Sequence, residues 1–139
     1  MSGLTKGDPA PTEIIVHQQS RRLEVAFSDG QRFDLSFELL RVYSPSAEVR
    51  GHGPGQEVLQ TGKRDVGVRA LEPIGHYAIK PLFTDGHDTG IYSWDYLYFL
   101  GVNKERLWQE YLERLEAAEA SRTAPAAPLE SVATEIKRR

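Results

Sequence analysis

The sequence predicts an α+β fold: a small, mostly antiparallel sheet, short helices packed on it, and a longer C-terminal amphipathic helix. Three observations predict it. Apolar and polar residues alternate in short runs, the half-buried strand pattern. A strand–turn–strand–helix signal is written twice, as Phe27-Ser28-Asp29-Gly30 through Leu40 and as Phe83-Thr84-Asp85-Gly86 through Leu97. Leu107, Trp108, Tyr111, Leu112 and Leu115 fall on one face of a helix.

The elements follow in order. Residues 1–11 read as a flexible leader, 12–120 as a single domain and 121–139 as a mostly disordered tail. Ile14, Ile15 and Val16 form a β-branched run suited to a strand. Leu23, Val25 and Phe27 alternate with polar neighbours, and Asp29-Gly30 is a hairpin turn because both residues tolerate positive φ. Phe33 and Leu35 resume the strand. Ser36 is an N-cap with Glu38 in the first turn, where the helix dipole favours an anion. Pro45 ends that helix, and Gly51-His52-Gly53-Pro54-Gly55-Gln56 breaks either periodicity. Val66, Val68 and Ala70 share one face of the next strand, and Glu72-Pro73-Ile74-Gly75 suits a β-turn. Tyr77–Phe83 is a strand whose Pro81 predicts an edge position or a bulge. Ser93 caps an aromatic helix that is apolar nearly all round and closes at Gly101, so Trp94 is expected in the core. Asn103 caps the last helix, where Glu110 and Arg114 are spaced to pair.

Composition sets the function classes. A chain of 139 residues with 40 % hydrophobic residues holds one modest core. Its net charge of −3, with both signs mixed, lacks the clustered basic face of a nucleic-acid binder. Without cysteine there is no disulfide, thiolate metal site or thiol chemistry. No apolar run approaches the ~20 residues of a membrane span. A soluble cytoplasmic protein without cofactor is the expectation.

His87 is the first candidate for chemistry, since it alone among four histidines sits with turn glycines, acids and aromatics. His52 could approach it, and Asp85 or Asp88 could supply oxygen. No His-x-His or His-Glu-x-x-His spacing supports a metal. A loop histidine of this kind ordinarily hydrogen-bonds a turn. The Gly51–Gln56 loop lacks the strand before it and the Lys-Ser/Thr after it that a phosphate loop needs. Tyr96 and Tyr98 fit either core or an interface, where Tyr is enriched. No Gly-x-Ser-x-Gly elbow supports a serine hydrolase.

Three stretches, Leu40–Val49, Gly51–Gln56 and Asp85–Trp94, together resemble the gamma-butyrobetaine hydroxylase-like N-terminal domain family over roughly residues 12–115. The resemblance is strongest to its stand-alone bacterial branch, of unknown function. The family also supplies the N-terminal domain of gamma-butyrobetaine and trimethyllysine dioxygenases. A related domain is appended to a plant chloroplast P-loop protein of iron–sulfur assembly. In the dioxygenases the resemblance implies a structural zinc held by Cys-x-Cys-x-x-Cys and a distant histidine. Those positions fall on Ser44, Ser46, Val49 and His87. Three sulfur ligands are therefore missing, serine is a poor zinc ligand and valine is none. No metal is expected. Ser44 and Ser46 are instead expected to hydrogen-bond near His87 and tie two loops together. Dioxygenase chemistry does not carry over, because iron and 2-oxoglutarate belong to a separate catalytic domain.

The leading expectation is a non-catalytic binding or adaptor module, not an enzyme, acting through a protein partner or as a homodimer. The alternative is a small-ligand or metal-binding accessory protein in cofactor or iron–sulfur metabolism, with His87 and His52 in the site. A contiguous exposed apolar patch near Tyr96 and Tyr98 favours the first. A pocket into which both histidines point favours the second.

Overall fold

Each half of the chain builds the same unit, three antiparallel strands followed by two helices. A computed structural model describes residues 8–51 and 55–123. The first unit is β1 (Pro11–His17), β2 (Arg22–Phe27), β3 (Arg32–Ser36), α1 (Phe37–Val42) and α2 (Ala47–Arg50). The second is β4 (Val68–Ile74), β5 (Ala78–Phe83), β6 (Tyr92–Ser93), α3 (Trp94–Val102) and α4 (Lys104–Ala117). Each sheet has its strands in sequence order, β1-β2-β3 and β4-β5-β6. The fold is α+β with an amphipathic C-terminal helix, and its antiparallel strands divide between two three-stranded sheets.

The repeat extends to individual hydrogen bonds. Gly30 donates to the Phe27 carbonyl and Gly86 to that of Phe83, both at 3.0 Å. These glycines have φ of 90° and 92°, which a side chain at either position would strain. The Asp29 carboxylate accepts from the Gln31 N–H, and the Asp85 carboxylate from that of His87, at 3.0 and 3.2 Å. Ser36 Oγ accepts from the Leu39 N–H and Ser93 Oγ from that of Tyr96, capping α1 and α3 alike.

The halves close on each other reciprocally. Arg41 and Tyr98 stand at the same offset from their caps. Arg41, on the first unit, reaches Asp85 in the turn of the second, and Tyr98, on the second, reaches Asp29 in the turn of the first. Gly101 lies so close to Phe33 that a Cβ would overlap the ring, and Gly90 is placed likewise against Ser44 Oγ. Between the units lies one shared core of Leu23, Val25, Leu40, Phe83, Leu97 and Leu100, each nearly inaccessible. Burying each such side chain contributes about 1.5–3 kcal/mol, so neither sheet has a complete core without the other. Of the predicted helical stripe, Leu107, Tyr111 and Leu115 are buried, and Trp108 and Leu112 half-buried.

Several expectations need correction. The Glu72–Gly75 turn is not there: β4 runs through Pro73 to Ile74, and Tyr77 N–H closes the turn on Ile74. Pro73 is tolerated because β4 is an edge strand. Pro81, by contrast, has the edge position expected of it: it lies in the central strand, but β6 pairs only with Ala78 and Ile79, so β5 is locally an edge there. Ala70 is exposed, since the register shifts between Val68 and Ala70. Gly101 lies inside α3, which ends at Val102. The Asn103 amide does not cap α4 but donates to the Phe99 carbonyl at the end of α3. Trp94 packs against the shared core but is only half-buried, its indole N–H donating to the His76 carbonyl. Glu110 pairs with Arg106 instead of Arg114. Ser121 and Arg122, assigned to the tail, are anchored: their carbonyls accept from Gly62 and Arg64, and Arg122 forks onto the buried Glu38 carboxylate.

Candidate functional site

The Asp85-Gly86 turn sets His87 in place. With Asp85 accepting its N–H and Phe83 donating to its carbonyl, the imidazole turns inward against Phe83. It meets the segment after α1, where Pro45 has ended the helix. Ser44 Oγ lies 2.8 Å from His87 Nε2, and Ser46 Oγ 3.4 Å from the same nitrogen. Glu48 Oε1 lies 3.1 Å from Nδ1 and also accepts from the Thr89 hydroxyl. Ser44, Ser46 and His87 are all buried. Three of the four predicted zinc positions therefore meet, and the fourth, Val49, is a buried apolar residue beside them.

Arg41 and Lys63 complete the knot by donating to Asp85 Oδ2 at 2.9 and 2.6 Å. Burial pushes the Asp85 carboxyl up. Hydrogen bonds from Lys63, the His87 N–H and Arg41 outweigh it and hold the carboxyl at about 2. His87 is held below its ordinary value, by burial first and then by the Arg41 charge, so its neutral ring is favoured. One Arg41 nitrogen, Nη1, is buried without a hydrogen-bond partner among the described residues. Burial also raises the Tyr92 hydroxyl, which donates to the Leu40 carbonyl.

Ser44, His87 and Glu48 connect in the order of a hydrolytic triad, but their exposure is inverted. The hydroxyl is 1 % exposed, whereas the acid is open to solvent. A nucleophile must be reached by an acyl group, and Ser44 is not. Nor does the donor set fit zinc: it offers hydroxyls, a valine and an imidazole engaged at both nitrogens. Among the described residues no three His, Asp, Glu or Cys side chains are placed to hold a metal.

The remaining candidates lie apart. His52 falls outside the described residues. Asp88 is exposed and joins none of these bonds. Tyr98 packs edge-on to Phe27 and Phe33 and closes Asp29, so it belongs to the joint between the halves. Tyr96 lies elsewhere, under the Arg50 guanidinium at 5.1 Å, with its hydroxyl donating to the Tyr43 carbonyl. Beside it a groove of about 410 Å³ runs between Pro45, Tyr77, Ile91 and Phe99. Tyr77, Ile91 and Phe99 are 45 %, 46 % and 43 % exposed. Across the Tyr96–Arg50 wall, a second cavity of about 600 Å³ is lined by Val49, Val58, Phe99, Leu107 and Arg114.

Sequence reasoning missed Arg41, Glu48 and Lys63, the groups that hold Asp85 and His87, and Tyr77 and Ile91 of the groove. Only Arg41 left a signal, its repeat-equivalence to Tyr98. Among the described residues no helix is long and apolar enough to cross a membrane.

Known proteins agree with the fold. Two proteins with solution NMR structures share 45 % and 51 % identity with this chain, with TM-scores of 0.75 and 0.74. The first match covers 87 % of this chain and 95 % of that one, the second 91 % and 96 %. A crystal structure of a protein of unknown function in the DUF971 family, from Acidithiobacillus ferrooxidans, is 41 % identical with a TM-score of 0.57. That match covers 66 % of this chain and 92 % of the other. No curated protein matches. Residues 14–98 match the family described as gamma-butyrobetaine hydroxylase-like, N-terminal, and the chain belongs to that family.

Proposed function

We propose that the chain is a non-catalytic protein-binding module that docks through the groove bordered by Pro45, Tyr77, Ile91 and Phe99. The observation that carries this is the exposed trio Tyr77, Ile91 and Phe99 around Tyr96, large apolar side chains on one concave surface. Monomeric surfaces scatter such residues, and grouped ones mark contact sites. The occupant its charges fit is a second copy. Arg50 and Asp95 both border the groove, and a two-fold interface needs a self-complementary patch, so that Arg50 of one copy faces Asp95 of the other.

The knot around His87 serves this surface by fixing Pro45 at one rim and the segment leading to Ile91 at the other. Inverted exposure at Ser44 speaks against hydrolysis, and the donor set against zinc. Mixed surface charge favours neither nucleic acid nor membrane, and a chain without cysteine suits the cytoplasm.

Sedimentation velocity from micromolar to millimolar chain tests the proposal. A dimer that Phe99→Asp or Ile91→Asp dissociates without unfolding is expected. A monomer at every concentration overturns self-association. Fluorophosphonate labelling of Ser44, or one equivalent of zinc after purification without added metal, overturns the non-catalytic, metal-free reading.

A further inference from the structure

We infer that the cavity across the Tyr96–Arg50 wall is a binding site for a small apolar carboxylate, an aryl or acyl acid. Its volume of about 600 Å³ falls within the range of small-molecule pockets, which are mostly apolar with a few oriented polar groups. Val49, Val58, Phe99 and Leu107 supply the apolar wall, and the Tyr96 ring one aromatic surface.

The charges set the ligand class. Arg50 and Arg114 both line the cavity, and neither forms an ion pair with a described residue. Other arginines do hold carboxylates: Arg22 takes Asp34, Arg32 takes Glu13 and Glu24, Arg41 takes Asp85, Arg106 takes Glu110, and Arg122 takes Glu38. Arg50 lies over the Tyr96 ring and beside its hydroxyl, so part of its five-donor fork remains for a ligand. Arg114 stands beside the Tyr43 hydroxyl, whose proton is committed to the Leu107 carbonyl. Guanidinium edges bordering an apolar hollow match a carboxylate on an apolar body, because the fork accepts both oxygens. Glu57 also lines the cavity and is exposed; its charge disfavours a dianion and favours a single carboxylate.

The cavity shares Arg50, Tyr96 and Phe99 with the docking groove, but Arg114 lines only the cavity and Ile91 only the groove, so variants at these two separate the sites. The test titrates the ¹⁵N-labelled full chain with naphthalene-1-carboxylate and octanoate, each against its neutral carboxamide. Amide shifts are followed in the wild type, Arg114→Gln and Ile91→Asp. At least one carboxylate is expected to give saturable shifts centred on Val49, Val58 and Leu107. Its amide is expected to bind about tenfold more weakly, the scale of one charge-assisted hydrogen bond. Arg114→Gln erases that preference with a folded spectrum, and Ile91→Asp leaves it intact. No saturable shift with either acid overturns the inference. So does equal affinity for acid and amide, a preference that survives Arg114→Gln, or shifts centred elsewhere.

Discussion

Replacing Asp85 with Asn tests whether the knot is held by charge. The Asp85 carboxylate takes hydrogen bonds from Arg41, Lys63 and the His87 N–H, and its pKa falls from 3.8 to about 2. At about 1.36 kcal/mol per unit, that drop corresponds to roughly 2.5 kcal/mol of native-state stabilisation at neutral pH. Asp85 is 24 % exposed at its side chain, and solvent screening trims the figure to about 2 kcal/mol. The substitution also leaves the Arg41 guanidinium, 9 % exposed, without its counter-charge, while Lys63 can turn to water. The expected loss at pH 7 is therefore about 2–4 kcal/mol. Its pH dependence is the sharper check. A carboxyl depressed in the folded state contributes fully above its unfolded value, and the contribution fades as pH falls through the folded one. Roughly half of it has gone by about pH 3. Urea unfolding followed by tryptophan fluorescence, on both proteins at several pH values, gives the difference directly. A gap that stays constant from about pH 6 to pH 3, or that is under about 0.5 kcal/mol at pH 7, refutes the assignment.

Three further predictions follow from neighbouring contacts. Arg122→Ala leaves the buried Glu38 carboxylate with Tyr111 alone and is expected to cost about 2–4 kcal/mol in urea unfolding; a loss below about 0.5 kcal/mol shows the fork to be ornamental. Gly101→Ala adds a methyl inside the Phe33 ring's space. Overpacking of about 1–3 kcal/mol is expected to exceed the ~1 kcal/mol gain in helix propensity, so calorimetry reads a lower Tm, and a raised Tm contradicts the close approach. His87, held down by burial and Arg41, titrates by NMR below its ordinary 6.5. Native stability is then full above that value and declines as pH falls below it toward the folded pKa, a slope that His87→Gln removes.

The sequence disclosed what is local. Both Asp-Gly turns, both serine caps and the stripe of α4 depend on neighbours within a turn or two, and the duplication displayed them twice. The knot was only half legible. The family resemblance brought Ser44, Ser46 and His87 together, but Arg41 and Lys63 meet Asp85 from 44 and 22 positions away, and periodicity carries no such pairing. Pro73 misled for a related reason: a proline's tolerance depends on whether a neighbouring strand is there, and β4 is an edge strand that runs through it to Ile74. The groove escaped because a helix apolar nearly all round reads as buried, and Ile91 precedes it without a signal of its own. Phe99 is exposed because α3 turns Leu97 and Leu100 inward instead.

The reciprocal closure of the halves bears on how the chain can be taken apart. Arg41 lies in the first unit and Asp85 in the second, Tyr98 in the second and Asp29 in the first, so each lock spans the cut between residues 51 and 55. Two fragments severed there carry complementary surfaces of one core and no complete core of their own. Mixed, they are expected to reassemble as a one-to-one pair, and each alone to remain unfolded.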